Sequence, residues 1–210
     1  MKNLVLRGIV VGPVQTNCYF LKNRETEEII VVDPGAEDER IRMALERLGG
    51  RPAAILLTHG HYDHICAAKE LKEHYRIPIY APKAEEELLQ NTSWNLSAAW
   101  SGKAYKVQGD VWLEDGQETD IAGFQVKTIL TPGHTAGSAC YWLPEEEVCF
   151  SGDTVFAGSC GRTDLPTGSM SQMRESLARI LGLLPAGTAI FPGHGEETDA
   201  GFERKHNPYL

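Results

Sequence analysis

The chain has 210 residues, 42% hydrophobic and 23% charged, the balance of a soluble globular protein with a substantial core. Its net charge of -9, with basic residues scattered among acidic ones, argues against nucleic-acid binding, which needs clustered Lys and Arg. No apolar run approaches the roughly 20 residues that span a bilayer, and five cysteines without a CxxC pair fit a reduced, cytoplasmic setting rather than a disulfide framework.

The amino-terminal run, interrupted by Arg7, Gly8 and Pro13, reads as a strand rather than a signal peptide. Strands are expected at 3–11, 17–22 and 28–33, the last ending at Pro34-Gly35. Ile41, Ala44, Leu45 and Leu48 recur at helical spacing, and Gly49-Gly50 ends that helix. A strand follows at AAILL, then the loop THGHYDHI, a helix from Ile65 to Tyr75, the strand IPIYAP and a helix at 83–90. The segment 91–102, with Trp94 and Trp100, reads as a surface insertion or lid. Further strands are expected near 105–108, 118–130, 138–143, 147–152 and 188–191, with a helix at 171–181 and a short one closing the chain. Strands come in blocks without a repeat or linker, which predicts one domain over 1–210, of α+β class, with helices layered on a mixed or antiparallel sheet.

Three of the seven histidines fall within six positions, His59, His61 and His64, together with Asp63. Three later stretches share their design: Thr131-Pro132-Gly133-His134, Ser151-Gly152-Asp153 and Pro192-Gly193-His194-Gly195. Each puts a ligand-type residue beside a glycine just past an apolar run. Strand ends of a twisted sheet bring such turns together, and glycine permits close backbone approach. Neutral imidazoles and carboxylates suit zinc and related transition metals, whereas one aspartate cannot by itself justify three crowded imidazoles. His74 and His206 read as surface histidines. Seven groups exceed the four of one tetrahedral zinc and suit two cations sharing a carboxylate, the design of a dinuclear hydrolase.

HxHxDH, TPGHT, SGD and PGHG, in this order, resemble the metallo-β-lactamase superfamily, and the aspartate at SGD resembles its glyoxalase II branch. The resemblance runs from Asp33-Pro34-Gly35 to His194 and implies a four-layer αββα sandwich. It implies one divalent metal on His59, His61 and His134 and a second on Asp63, His64 and His194, with Asp153 bridging. Asp63 and Asp153 are then the catalytic carboxylates, zinc the first choice of metal, and iron or manganese the others. The implied reaction is hydrolysis of a thioester such as S-D-lactoylglutathione by a hydroxide held between the metals. An iron persulfide dioxygenase, or a lactonase or other ester hydrolase of the superfamily, is the alternative. Partners are a small-molecule substrate, neither nucleic acid nor membrane.

Gly158-Ser159-Cys160-Gly161-Arg162 resembles the segment in which a basic residue binds a glutathione carboxylate. Arg162 either does this or pairs with Asp164 at the surface. Few residues follow His194, too few for the helical glutathione-binding domain of full-length glyoxalase II, and the chain resembles the shorter bacterial and archaeal hydrolases. Cys66 reads as a buried structural thiol, Tyr62 as a residue of the site mouth or its packing, and Thr58 and Thr135 as partners of metal-bound imidazoles.

Overall fold

The computed structural model describes residues 2–210. One six-stranded sheet runs in sequence order through β1 (Leu4–Val11), β2 (Thr16–Asn23), β3 (Glu28–Val32), β4 (Arg51–Leu56), β5 (Ile79–Pro82) and β6 (Val111–Leu113), antiparallel up to β3 and parallel beyond it. The second contains β7 (Glu118–Ile121), β8 (Phe124–Leu130), β9 (Ala139–Leu143) and β10 (Val148–Gly152). A small hairpin of β11 (Val155–Phe156) and β12 (Ser159–Cys160) stands apart from it, and β13 (Ala189–Pro192) and β14 (Thr198–Asp199) complete it. Its order is β14-β13-β10-β9-β8-β7, with only β10 and β13 parallel.

The layers follow from alternation along the strands. Ile29 and Val31 of β3 meet helices outside the first sheet, while Ile30 and Val32 point between the sheets. On β10, Val148 and Phe150 share that inner core with Leu21, Leu56 and Tyr141, and Cys149 faces outward. The first outer layer is α1 (Asp38–Leu48), α2 (Tyr62–Ile65) and α3 (Ala68–Tyr75), packed through Ile41, Leu45, Ile65 and Leu71. Between β5 and β6 lie α4 (Glu86–Gln90) and α5 (Ser97–Trp100). The opposite layer is α6 (Met170–Leu183), with Met173, Leu177 and Ile180 buried, and α7 (Ala200–His206). This is the expected four-layer αββα sandwich. No helix among the described residues is long and apolar enough to cross a membrane.

Several elements differ from the sequence reading. Residues 105–108 form no strand, although Tyr105 and Val107 are buried. The Tyr105 carbonyl accepts from Asn95 Nδ2 and Ser97 Oγ, and its amide donates to Ser97 Oγ, so side chains take the place of a ladder. The strand comes later, as β6. The run 118–130 is a hairpin, because Ala122 and Gly123 adopt positive φ of 54° and 74° and turn the chain. The helix read at 65–75 is two, broken at Cys66-Ala67, where the Ala67 amide donates to the Pro34 carbonyl. The hairpin β11–β12 and the strand β14 are too short to leave a periodic signal.

Candidate metal centre

Four strands deliver the site. Beyond β4 the chain turns through Thr58 to His59, His61, Asp63 and His64; β8 leads to His134, β10 to Asp153 and β13 to His194. The strands belong to both sheets and their ends meet at one edge of the sandwich. The turns are closely interlocked. A Cβ at Gly193 would fall 2.3 Å from Asp153 Oδ1 and 2.6 Å from His64 Cε1, and one at Gly35 1.5 Å from the Asp63 carbonyl oxygen, so only glycine fits either place.

All seven predicted ligands come together. Ligand atoms of His59, His61 and His134 lie within 4.8 Å of one another, as do those of Asp63, His64 and His194, and those of His59, His64 and Asp153. His61 Nδ1 stands 2.8 Å from His134 Nε2, and His64 Nε2 3.3 Å from His194 Nε2. Asp153 lies between the groups, with Oδ1 3.5 Å from His64 Nε2 and Oδ2 3.4 Å from His134 Nε2 and 3.6 Å from His194 Nε2. Buried atoms here lack hydrogen bonds: His59 Nε2, His61 Nε2 and Asp153 Oδ1. Buried polar groups are normally satisfied, and imidazole nitrogens facing one another make a poor hydrogen-bond network but a good donor set for cations. The residues therefore fit divalent metals, and their mixture of nitrogen and carboxylate oxygen suits zinc, iron or manganese.

Electrostatics agree with a donor set. Burial, reinforced by the neighbouring imidazoles, holds His59 and His61 well below the usual histidine range, so both are neutral with a free lone pair. Burial also opposes charge on His64, but Asp63, Asp153 and Asp33 outweigh it and push its pKa up to about 10 in the metal-free chain. For Asp63 burial would raise the carboxyl, yet His64 and His194 hold it well below the ordinary range.

The surrounding residues orient these groups. Asp33 accepts from the Thr58 amide at 2.8 Å, the Thr58 hydroxyl at 2.6 Å and His64 Nδ1 at 2.9 Å. Thr58 Oγ1 lies 3.1 Å from His59 Nδ1, as expected for that threonine. Thr135 acts differently, donating to Glu85 rather than to an imidazole. Glu85 is buried and also accepts from the Gly60 and Gly137 amides, joining the two histidine loops. Sequence reading missed both carboxylates: Asp33 appeared only as part of a turn, and Glu85 carried no signal. His134 Nδ1 is 2.7 Å from the Arg162 carbonyl oxygen. The Arg162 guanidinium is paired twice with Asp164, at 2.7 and 2.8 Å, with both side chains exposed. Burial pushes the Cys66 thiol up to about 12, so it stays protonated.

The site opens into a cleft of about 280 Å³ whose apolar wall is Val14, Leu96, Trp100, Phe156 and Leu165, with Tyr62 and Arg162 beside the ligands. A broader groove of about 760 Å³ along β1, by Arg7, Arg24 and Phe191, contains none of the clustered ligands.

Residues 11–194 match the metallo-beta-lactamase superfamily. The chain belongs to that superfamily. It is 38% identical to the probable metallo-hydrolase YqgX of Bacillus subtilis, over 97% of this chain and 96% of that one. It is 32% identical to the hydroxyacylglutathione hydrolase GloC of Haemophilus influenzae, over 96% of each. Among solved structures, the B3 metallo-beta-lactamase BLEG-1 superposes with a TM-score of 0.92 at 37% identity, covering 98% of this chain and 99% of that one. TTHA1623, solved in a di-iron-bound form, superposes with a TM-score of 0.85 at 35% identity, covering 97% and 100%. The superfamily, the hydrolase character of named relatives and the ligand cluster together make this chain a metallo-hydrolase of the superfamily.

Proposed function

We propose that the chain is a dinuclear metal-dependent thioesterase of glyoxalase II type, acting on S-D-lactoylglutathione or a related small acyl thioester. The observation that carries this reading is the place of Asp153, whose carboxylate reaches His64 and His194 of one set and His134 of the other. In this assignment His59, His61 and His134 hold one cation, Asp63, His64 and His194 the other, and Asp153 serves both. Divalent cations bound there supply Lewis acidity and lower the pKa of a ligated water toward neutrality.

The chain's own residues perform the remaining tasks. Thr58, Asp33 and the Arg162 carbonyl engage Nδ1 of His59, His64 and His134, which directs Nε2 of each inward, the nitrogen a bound cation would take in place of a proton. Val14, Leu96, Trp100 and Phe156 give the substrate's approach an apolar wall. Among the described residues, no carboxyl or imidazole lining the cleft stands apart from the ligand set, which favours a leaving group that departs without a proton. A thiolate meets this condition, since thiols ionise near pH 8.5. Arg162, which lines the cleft, is the cation that would receive a substrate carboxylate in place of Asp164. The likeness to GloC supports glutathione as the carrier.

Turnover of S-D-lactoylglutathione, with metals counted by elemental analysis on the same sample, tests the reading. Hydrolysis with about two metals per chain, the number a two-metal site requires, supports it. Two metals without turnover of this or any other thioester overturn it in favour of β-lactam or lactone hydrolysis, a second reading that the likeness to BLEG-1 supports. One iron per chain, with oxygen consumption on glutathione persulfide, overturns it in favour of a dioxygenase.

A further inference from the structure

The metal cleft has a neighbour. A second cavity, of about 290 Å³, lies behind the turn that joins β1 to β2. Asp63, Tyr62 and Trp100 line both spaces, whereas the turn divides between them, with Val14 on the cleft and Gly12 and Pro13 on the side cavity. The two thus adjoin across a partition made by Tyr62 and Trp100, whose rings meet edge to face with centroids 6.4 Å apart.

That partition is held from one side and free on the other. The Tyr62 amide donates to the Asn95 carbonyl, and Asn95 is itself buried and bonded to Tyr105. Leu96 follows in the left-handed region at φ 67°, a conformation costly for a branched side chain and characteristic of sites where geometry matters. One turn later Trp100 is 54% exposed, an unusual place for so large an apolar surface.

The wall of the side cavity offers little to a polar guest. The Tyr105 hydroxyl donates to Glu70 and accepts from the Lys69 amide. The Ser101 hydroxyl is engaged with the Ser97 and Lys103 carbonyls, and Asp63 accepts from Thr16 while facing His64 and His194. Among the described residues of this wall, the Tyr62 hydroxyl, the Trp100 indole N–H, the weakly polar Cys66 thiol and exposed Lys103 lack a protein partner. A polar group entering there would lose water with few bonds in return. At about 290 Å³ the space is at the low end for a ligand pocket, enough for one ring or a short branched chain rather than a whole substrate.

From this geometry we infer that the side cavity is a specificity subsite, taking an uncharged apolar arm of a substrate whose reacting carbonyl sits in the metal cleft. The inference rests on the hydrolase reading of the cleft and adds the substrate class, carbonyl compounds with a hydrophobic branch. Tyr62 and Trp100 are the residues over which the branch passes. Ala36 packs beside Gly12 in the same wall, a Cβ at Gly12 lying only 3.2 Å from the Ala36 Cβ, so a larger side chain at 36 has the cavity as its free space.

The test compares arms rather than absolute rates. Acetyl and phenylacetyl thioesters of N-acetylcysteamine, and the acetyl thioester of benzyl thiol, are hydrolysed by the metal-loaded wild type, Ala36→Leu and Trp100→Ala. Unhydrolysable ketones with methylene in place of sulfur are titrated calorimetrically against the same proteins, with folding checked by thermal melts. The wild type is expected to prefer a phenyl-bearing compound over its methyl counterpart by about tenfold or more, in kcat/KM and in Kd, the scale of discrimination an apolar pocket provides. Both variants are expected to bring the ratio close to one. Which phenyl compound gains shows whether the arm comes from the acyl or the thiol side. Hydrolysis with no phenyl preference in the wild type, or with a preference both variants retain, overturns the subsite and leaves the hydrolase reading intact. A phenyl preference in ketone binding that the variants erase, without hydrolysis of any thioester, supports the subsite and removes the thioesterase reading.

Discussion

Asp33 Oδ2 accepts a hydrogen bond from His64 Nδ1 at 2.9 Å, while its other oxygen takes the Thr58 amide at 2.8 Å. One buried carboxylate thereby sets the ring of a predicted ligand and the start of the loop that carries three others. Asp33 itself sits at φ 47°, a left-handed turn that aspartate tolerates better than most residues. The backbone bends there so that the side chain can lie behind the site.

Replacing Asp33 with Ala leaves His64 Nδ1 and two Thr58 groups without their acceptor. Outer partners of ligating histidines are worth about 10–100-fold in metal affinity. Asp33→Ala is therefore expected to weaken the metal on the His64 side by that factor more than the one on the His59 side. Competition with a chromophoric chelator resolves the two equivalents, and two unchanged affinities would show that Asp33 serves only the fold.

Asp153 is expected to matter to both. Asp153→Ala removes the shared carboxylate, so metal content should fall from about two per chain and thioester turnover by more than about a hundredfold, beyond what loss of an outer partner costs. Elemental analysis and a rate on one sample check this. A variant that keeps full activity and both metals refutes the bridging assignment.

The seven clustered residues were legible because they fall in four short stretches, each with a ligand-type side chain next to glycine after an apolar run. The supporting carboxylates were not. Glu85 is the first of three consecutive glutamates, and nothing local marks it as the buried one, because its partners Gly60, Thr135 and Gly137 are distant in sequence. The role of Arg162 toward His134 belongs to its carbonyl and is invisible in the residue type. Tyr105 and Val107 are buried in alternation, as the strand expected near 105–108 would have them, but side chains from 95 and 97 captured the backbone that would have formed a ladder. Periodicity reports which side chains are buried, and it is silent about which partner satisfies the main chain.

Glu85 gives a pH signature. Burial is the main influence and raises its carboxyl above the ordinary 4.5, with bonds from Thr135, Gly60 and Gly137 opposing it without cancelling it. A carboxyl with a higher pKa folded than unfolded takes up protons on folding, so its contribution to stability is fully present below about 4.5 and is lost as pH rises through the folded value. Glu85→Gln removes that dependence but places an amide against donors, costing about 1–3 kcal/mol for a buried group left unpaired. Urea unfolding from about pH 4 to 8 should show the wild type's advantage over the variant shrinking as pH rises. A constant difference would mean that Glu85 titrates alike in both states.

The pairing of Arg162 with Asp164 allows a test of recognition separate from the metals. Both side chains are exposed, and the hydrogen bonds from Arg162 hold the Asp164 carboxyl down at about 2, so the aspartate is ionised and occupies the guanidinium fork. A substrate carboxylate has to compete with it for the same planar donors. If Arg162 receives such a carboxylate, Asp164→Ala frees the fork and lowers KM for a glutathione thioester severalfold, while Arg162→Ala raises it. The carbonyl that faces His134 survives both changes, so kcat should hold in each. An uncharged thioester of N-acetylcysteamine should show no change in KM with either variant. Equal KM for the anionic substrate in all three proteins would leave Arg162 as a surface residue paired with its neighbour.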